Sequence, residues 1–201
     1  MLPLDDTEKS IYETILARRS VRSYQPQIVD DVTLCVLLEA AVRAPTAMHR
    51  EPWAFVIIQD KSLLLTISNR AKALYFAEEH QKEHHNNLTH FSQMFNSPDF
   101  NIFYDASTLI LICGKKSAPF AEADCWLAAE NMMLVACAMD LGTCVIGYAL
   151  PAFNDADIRN RLSITDDYQV VAPIIVGYQR GKTTPSPRKA PVILFKNTVI
   201  N

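Results

Sequence analysis

Much of what usually announces a function is missing from this chain. There is no basic excess: the 201 residues carry a formal net charge of −3, so nothing draws the whole molecule to nucleic acid or to an anionic membrane. No apolar run approaches the roughly 18 residues of a membrane span, and the opening MLPLDDTEKS is acidic and polar where a signal peptide would be basic and then apolar. A cytoplasmic location is the expectation. The five cysteines (Cys35, Cys113, Cys125, Cys137, Cys144) include no C-x-x-C pair and lie mostly in apolar runs, which predicts buried thiols in a reducing compartment. There is no internal repeat, no ribose-reading motif to separate NADH from NADPH, and no defensible Ser-His-Asp or Cys-His constellation. Charge itself is sparse, at 20% of residues against 49% hydrophobic. That balance supports one substantial core, read as a single domain over 1–201, with apolar surface left for a partner subunit.

What is present reads as helices around a few strands. Ser10 to Ala17 is helix-compatible, and Asp30 caps a helix through Ala44 with Leu34, Leu37, Leu38 and Ala41 on one stripe. Trp53 to Ile58, Thr108 to Cys113 and Tyr168 to Tyr178 have the composition of buried strands, and Thr143 to Ile146 is a short extended piece. Lys61 to about Phe76 returns to helical spacing. A long helix is expected from about Pro119 to Leu141, stopped by Gly142, and its Met132 to Met139 stretch leaves no solvent face. Asn154 to Leu162 is a short capped helix. Residues 77–104 are polar and read as a variable surface excursion, partly helical, while Val192 to Phe195 is a strand-like tail in need of a partner. The order of elements points to α+β.

Three clusters are candidates for chemistry. Arg18-Arg19-Ser20-Val21-Arg22, if extended, projects residues 18, 20 and 22 to one side, two cations with a hydroxyl between them. That pattern suits a phosphate, and a solvated basic turn is the plainer alternative. Ala44 to Trp53 joins helix to strand through a loop stiffened by Pro45 and Pro52, suited to cofactor contacts or to simple connection. Histidines 80, 84, 85 and 90 fall within eleven residues, either a metal pair or a polar helix surface.

Taken together, R-R-S-x-R at 18–22, the following A-P-T-A-M-H-R-E-P-W at 44–53, Asp124 to Gly147 (D-C-W-L-A-A-E-N-M-M-L-V-A-C-A-M-D-L-G-T-C-V-I-G) and the proline-bounded Arg188-Lys189 resemble the nitroreductase family, block by block and in order. The resemblance implies a three-layer α+β fold with a mainly antiparallel central sheet flanked by helices, in an intertwined homodimer with flavin at the subunit interface and exchanged terminal segments. It further implies an FMN-dependent oxidoreductase carrying electrons from NADH or NADPH to a nitroaromatic, quinone or similar small acceptor by a ping-pong route. Another flavin-dependent dehydrogenase or dehalogenase, or a flavin-binding dimer without turnover, are the alternatives. By the same resemblance Arg18, Ser20 and Arg188, with Arg19 and Lys189 beside them, hold the phosphate, and Arg22 faces the pyrimidine edge of the flavin. Pro45, Thr46, Ala47 and His49 line the flavin plane, and the backbone of Ile146 and Gly147 lies near its hydride-accepting nitrogen. The flavin carries the chemistry, and no protein residue is assigned as catalytic. Four residues depart from the family pattern: His49 for Asn, Glu51 for Gln, Glu130 for Gln, and Val145 where Trp is frequent.

Overall fold

The apolar β-branched runs become strands and the aspartate-led runs become helices in a computed structural model of the chain, which describes residues 10–81, 90–185 and 187–197 and, within them, no side chains at 78–81 and 90–92. In chain order the elements are α1 (Ile11–Ala17), α2 (Asp31–Val42), β1 (Trp53–Ile58), α3 (Lys61–Gln81), α4 (His90–Asn96), β2 (Thr108–Lys115), α5 (Ala121–Ala138), β3 (Leu141–Val145), α6 (Ala156–Arg161) and β4 (Tyr168–Tyr178). Short 3₁₀ turns occupy Ala47–His49 and Gly147–Asn154.

Local chemistry sets the helix starts. Ser10 and Glu13 form a reciprocal capping box at α1. Asp30 accepts the Thr33 N–H at 2.8 Å, Asp60 accepts those of Ser62 and Leu63 at 2.8 and 3.2 Å, and Asp155 those of Asp157 and Ile158 at 3.1 and 3.4 Å.

The four strands form one sheet in the order β1-β2-β4-β3, every neighbouring pair antiparallel. Strand β2 is buried on both sides, and its alternation divides the core. Leu109, Leu111 and Cys113 face α3, Phe95, Phe103 and the 147–154 turn, while Ile110 and Ile112 face α2 and α5. Helices therefore cover both faces of an antiparallel sheet, an α+β arrangement in three layers. Among the described residues, no helix is long and apolar enough to cross a membrane.

Several sequence expectations shift. Helix α5 ends at Ala138, because Asp140 turns into the left-handed region (φ 57°) and Leu141 enters the sheet. Gly142 is thus a strand residue and not the helix stop. In the α5 stretch expected to leave no solvent face, Met132 and Ala136 are fully buried within one chain, but Met139 is 39% exposed. Of the excursion expected over 77–104, residues 82–89 lie outside the described residues and Pro98 and Asp99 are exposed, but the 100–104 turn is tied inward: Ile102 and Phe103 are buried, Ile102 N–H donates to Ser68 Oγ at 3.1 Å, and the buried Lys72 ammonium donates to the Phe100 and Ser97 carbonyls at 2.8 and 3.3 Å. The tail Val192–Phe195 pairs with no strand among the described residues and lies exposed, Leu194 at 96%. Cys35 is exposed and Cys137 half-buried, unlike the other three cysteines. Burial pushes the Cys113 thiol up to about 11 and that of Cys125 up to about 12.

The capping aspartates give the fold an acid limit. The Asp155 carboxyl is held below its ordinary range, first by the Ile158 N–H and then by Arg70, whose Nε lies 2.8 Å away. A carboxyl depressed in the folded state contributes stability above its unfolded pKa and loses it as pH falls through the folded value. The expected outcome is that Asp155→Asn lowers the Tm at neutral pH, and that parent and variant converge once the pH falls below the ordinary carboxylate range. Thermal melts across pH check it, and a constant gap persisting below that range would remove Asp155 from the acid limb.

Candidate functional site

The segment after α1 is bound to the sheet edge as a short extra strand. Ser20 pairs with Thr143 in a parallel bridge, Tyr24 pairs with Gln179 in an antiparallel one, and Val21 N–H donates to the Thr143 carbonyl at 2.9 Å. Tyr24 donates its hydroxyl to the Val21 carbonyl at 2.8 Å. Val21 is buried, and Ser20 and Arg22 on either side of it are exposed, as extended backbone requires. Gly142 makes this attachment possible. A Cβ there would stand 2.8 Å from both Cβ and Cγ1 of Val21, closer than packed carbon atoms allow.

Arg22 lines a cavity of about 450 Å³ together with Ile146, Gly147 and Cys144 and the rings of Phe95, Phe100, Tyr104 and Tyr148. That volume is typical of a small-molecule site, and so is an apolar aromatic wall holding few polar groups. A Cβ at Gly147 would meet nothing within 4 Å, so the backbone there is open to an occupant. Gly147 also begins a 3₁₀ turn whose N-cap, Ile146, supplies no side-chain hydrogen bond. Cys144 is buried in the wall, and burial pushes its thiol up against the opposing pull of Arg22.

The other members of the basic cluster differ in their roles. Arg18 Nε lies 3.8 Å from Glu130 Oε1, a partly exposed pair created by one of the departures from the family pattern. Arg19 turns back on α1, donating from Nη1 to the Leu16 and Arg18 carbonyls at 2.5 and 2.7 Å. It serves the helix end, with Nε buried and without a partner.

Pro45, Thr46, Ala47 and His49 precede β1, at the opposite edge of the sheet. From β1 to β3 is three strand spacings, about 14 Å, and Ser20 lies one spacing further. The loop is pinned by buried Asp124, whose two carboxylate oxygens accept the Ala47 N–H at 3.2 and 3.3 Å. Met48, His49 and Glu51 all carry positive φ (54°, 51°, 43°), a concentration of left-handed side-chain-bearing residues that ordinary connections lack. His49 is exposed and makes no hydrogen bond among the described residues, while Trp53 packs against the core on the α5 side. Arg188 and Lys189 lie in the exposed tail. One chain therefore joins Arg22 to Ile146 and Gly147 and sets Arg18 and Ser20 along the same edge, but it does not bring in the 45–49 loop. His84 and His85, and the side chains of His80 and His90, lie outside the described residues. Sequence reasoning missed Phe95, Phe100, Tyr104 and Tyr148, whose signal was the aromatic density after residue 94. It also missed the loop-anchoring role of Asp124.

The model of the nitroreductase family matches residues 15–178, and the chain belongs to that family. It is similar to a nitroreductase with bound FMN from Bacteroides fragilis, with a TM-score of 0.74 and 25% identity, covering 96% of this chain and all of that one. An Archaeoglobus fulgidus protein provisionally named NADH dehydrogenase/NAD(P)H nitroreductase is 24% identical over 171 residues, 83% of each chain. The iodotyrosine deiodinase of Thermotoga neapolitana is 22% identical over 192 residues, 93% of this chain and 98% of the relative.

Gly142→Ala is expected to lift the Val21 segment from β3 and to cost about 1–3 kcal/mol by overpacking. In a Val21→Ala background the same substitution should cost clearly less. Equal costs in both backgrounds, measured by urea unfolding, would show that the contact does not carry the constraint.

Proposed function

We propose that the chain is an FMN-dependent oxidoreductase, taking electrons from NADH or NADPH and delivering them to a small planar acceptor such as a nitroaromatic or quinone, in a homodimer. The observation that carries the reading is the aromatic cavity in which one cation, Arg22, shares the walls with the open backbone at Ile146 and Gly147. The residues fit the cofactor. Arg18 and Arg22 are four residues apart on an extended segment, about 13 Å, so an elongated ligand meets cationic groups at two separated places. Arg18 and Ser20 would hold the phosphate as a charge-assisted donor set, and Arg22 would favour the negative charge that builds up on the reduced ring. Bound FMN would supply the hydride and electron transfer that these side chains lack. Gly147 leaves room for the ring, and the aromatic wall excludes water from it.

A second copy is the natural source of the missing parts. The 45–49 loop and the Arg188-Lys189 tail of a partner would approach the cavity that each lacks in its own chain. The apolar groups exposed on α1 (Ile11 78%, Tyr12 69%) and on the tail (Val192 86%, Phe195 83%) are in keeping with such a contact. A dehalogenase on the same scaffold is the second reading, favoured by the deiodinase relative.

Purified protein should be yellow, bleach anaerobically under NADH or NADPH, and recolour with a quinone or nitroaromatic. Recolouring with iodotyrosine alone would favour the second reading. Yellow protein that never bleaches would be a binder without turnover, and failure to take up FMN would overturn the proposal. Removal of the tail before Pro191 should weaken both the dimer and flavin retention, read by sedimentation and absorbance.

The arginines separate two roles. Arg18→Ala is expected to weaken FMN binding by on the order of 2–3 kcal/mol, by leaving the phosphate poorly paired. Glu130→Gln should tighten binding, but by less than about 1 kcal/mol, because the Glu130 side chain is half exposed and solvent screens its hold on Arg18. Arg22→Ala should instead lower the midpoint potential of the flavin that remains bound. Flavin titration and potentiometry of the three variants check the set, and an unchanged affinity for Arg18→Ala would misassign the cradle.

A further inference from the structure

The cavity wall contains a residue whose backbone is strained and whose ring meets Arg22, the one cation among the cavity's described residues. Tyr104 lies in the left-handed region (φ 52°), as does Asp105 (φ 55°), a conformation that costs a side-chain-bearing residue about 1 kcal/mol or more. The surroundings impose it. Asn101 accepts the Phe103 N–H on its side-chain oxygen at 3.0 Å and the Tyr104 N–H on its carbonyl at 2.8 Å, and its amide donates to Asp105 Oδ1 at 3.1 Å. Upstream, the buried Lys72 fixes the Phe100 carbonyl and Ser68 takes the Ile102 N–H, so the whole turn is tied to α3. The result of this bracing is an aromatic ring, set edge-on to Phe100 at 5.6 Å between centroids, with the Arg22 guanidinium carbon 5.9 Å from its own centroid. Arg22 makes no ion pair among the described residues; it meets Tyr104 through a cation–π contact at the outer limit of the useful range and through a side-chain hydrogen bond to the phenol.

We infer that Tyr104 is a positioning residue for Arg22: the α3-braced turn at 101–105 presents its ring and phenol so that the guanidinium is held at the cavity. An arginine at an extended, exposed position otherwise samples many rotamers, and fixing it beforehand removes that entropic cost from ligand binding. Burial pushes the Tyr104 phenol above its ordinary range and the charge of Arg22 opposes this, the signature of two groups that share one environment. The inference rests on the oxidoreductase reading for its consequence, since the charge so placed is the one assigned to the reduced flavin.

The test uses two variants and a ligand-free readout. Tyr104→Asn removes the ring but tolerates the left-handed backbone, and Tyr104→Phe keeps the ring. In the full chain without FMN, the Arg22 Nε–H resonance, assigned through Arg22→Lys, should carry a ring-current shift that Tyr104→Phe retains and Tyr104→Asn abolishes. In the flavin-loaded protein, Tyr104→Asn should raise the FMN Kd roughly three- to tenfold and lower the midpoint potential in the direction of Arg22→Ala, with Tyr104→Phe, which keeps the ring but loses the phenol, nearer to the parent than to Tyr104→Asn. In the Arg22→Ala background, Tyr104→Asn should add almost nothing. An Arg22 resonance indifferent to Tyr104→Asn, or effects of the two substitutions that simply add, would overturn the inference. Retention of the shift pattern in a protein that takes up no FMN would uphold the positioning itself and strike down the cofactor reading instead.

Discussion

The contact between Val21 and Gly142 is the point on which the rest of the arrangement turns. With no Cβ at Gly142, the segment from Arg18 to Tyr24 can close on β3 and donate the Val21 N–H to Thr143. Once Val21 is buried, the two-residue alternation of extended chain decides that Ser20 and Arg22 face outward. The same sheet edge carries Cys144 and Val145 into Ile146 and Gly147, so the cation and the open backbone meet because two neighbouring strands are in register. The cavity follows from backbone pairing, and its aromatic side chains then fill in around it.

The candidate residues fall at opposite edges of the sheet. Strand β1 lies toward one side and β3 toward the other, with β2 and β4, buried over most of their length, between them. A loop feeding β1 cannot reach a ligand beyond β3 in its own chain, however well its residues match a cofactor-binding pattern. Asp124 fixes the 45–49 loop onto the first turn of α5, where it is presented outward. In the homodimer proposed above, a two-fold axis that brought one such loop to the partner's cavity would bring the partner's loop to the first.

Strands and helix starts were legible in the sequence because they depend on neighbours in sequence. Trp53–Ile58 and Tyr168–Tyr178 agree to the residue, and Asp30 caps as its position suggests. The errors arose where distant contacts decide. Gly142 looked like a helix stop because glycine often is one, yet Asp140 makes the left-handed turn and Gly142 answers to Val21, more than a hundred residues earlier. Residues 100–104 looked like surface because the polar residues before them dominate the composition, and nothing in their own sequence reveals that Lys72 and Ser68 wait on α3 to satisfy their backbone. Arg22 was readable as a candidate from spacing alone, but its aromatic neighbour was not, since Tyr104 reaches it only through that buried turn.

The left-handed residues of the 48–51 loop have an implication for how this protein tolerates change. Met48, His49 and Glu51 each hold a conformation that glycine or asparagine adopts with less strain. A library selected only for resistance to heat should drift toward those two residues at these positions, because Met48, His49 and Glu51 are exposed and relief of the strain outweighs their contacts among the described residues. Selection for turnover would pull the other way if those side chains reach a neighbouring subunit. The sites where the two regimes part company would then trace the loop's working surface without any ligand being present.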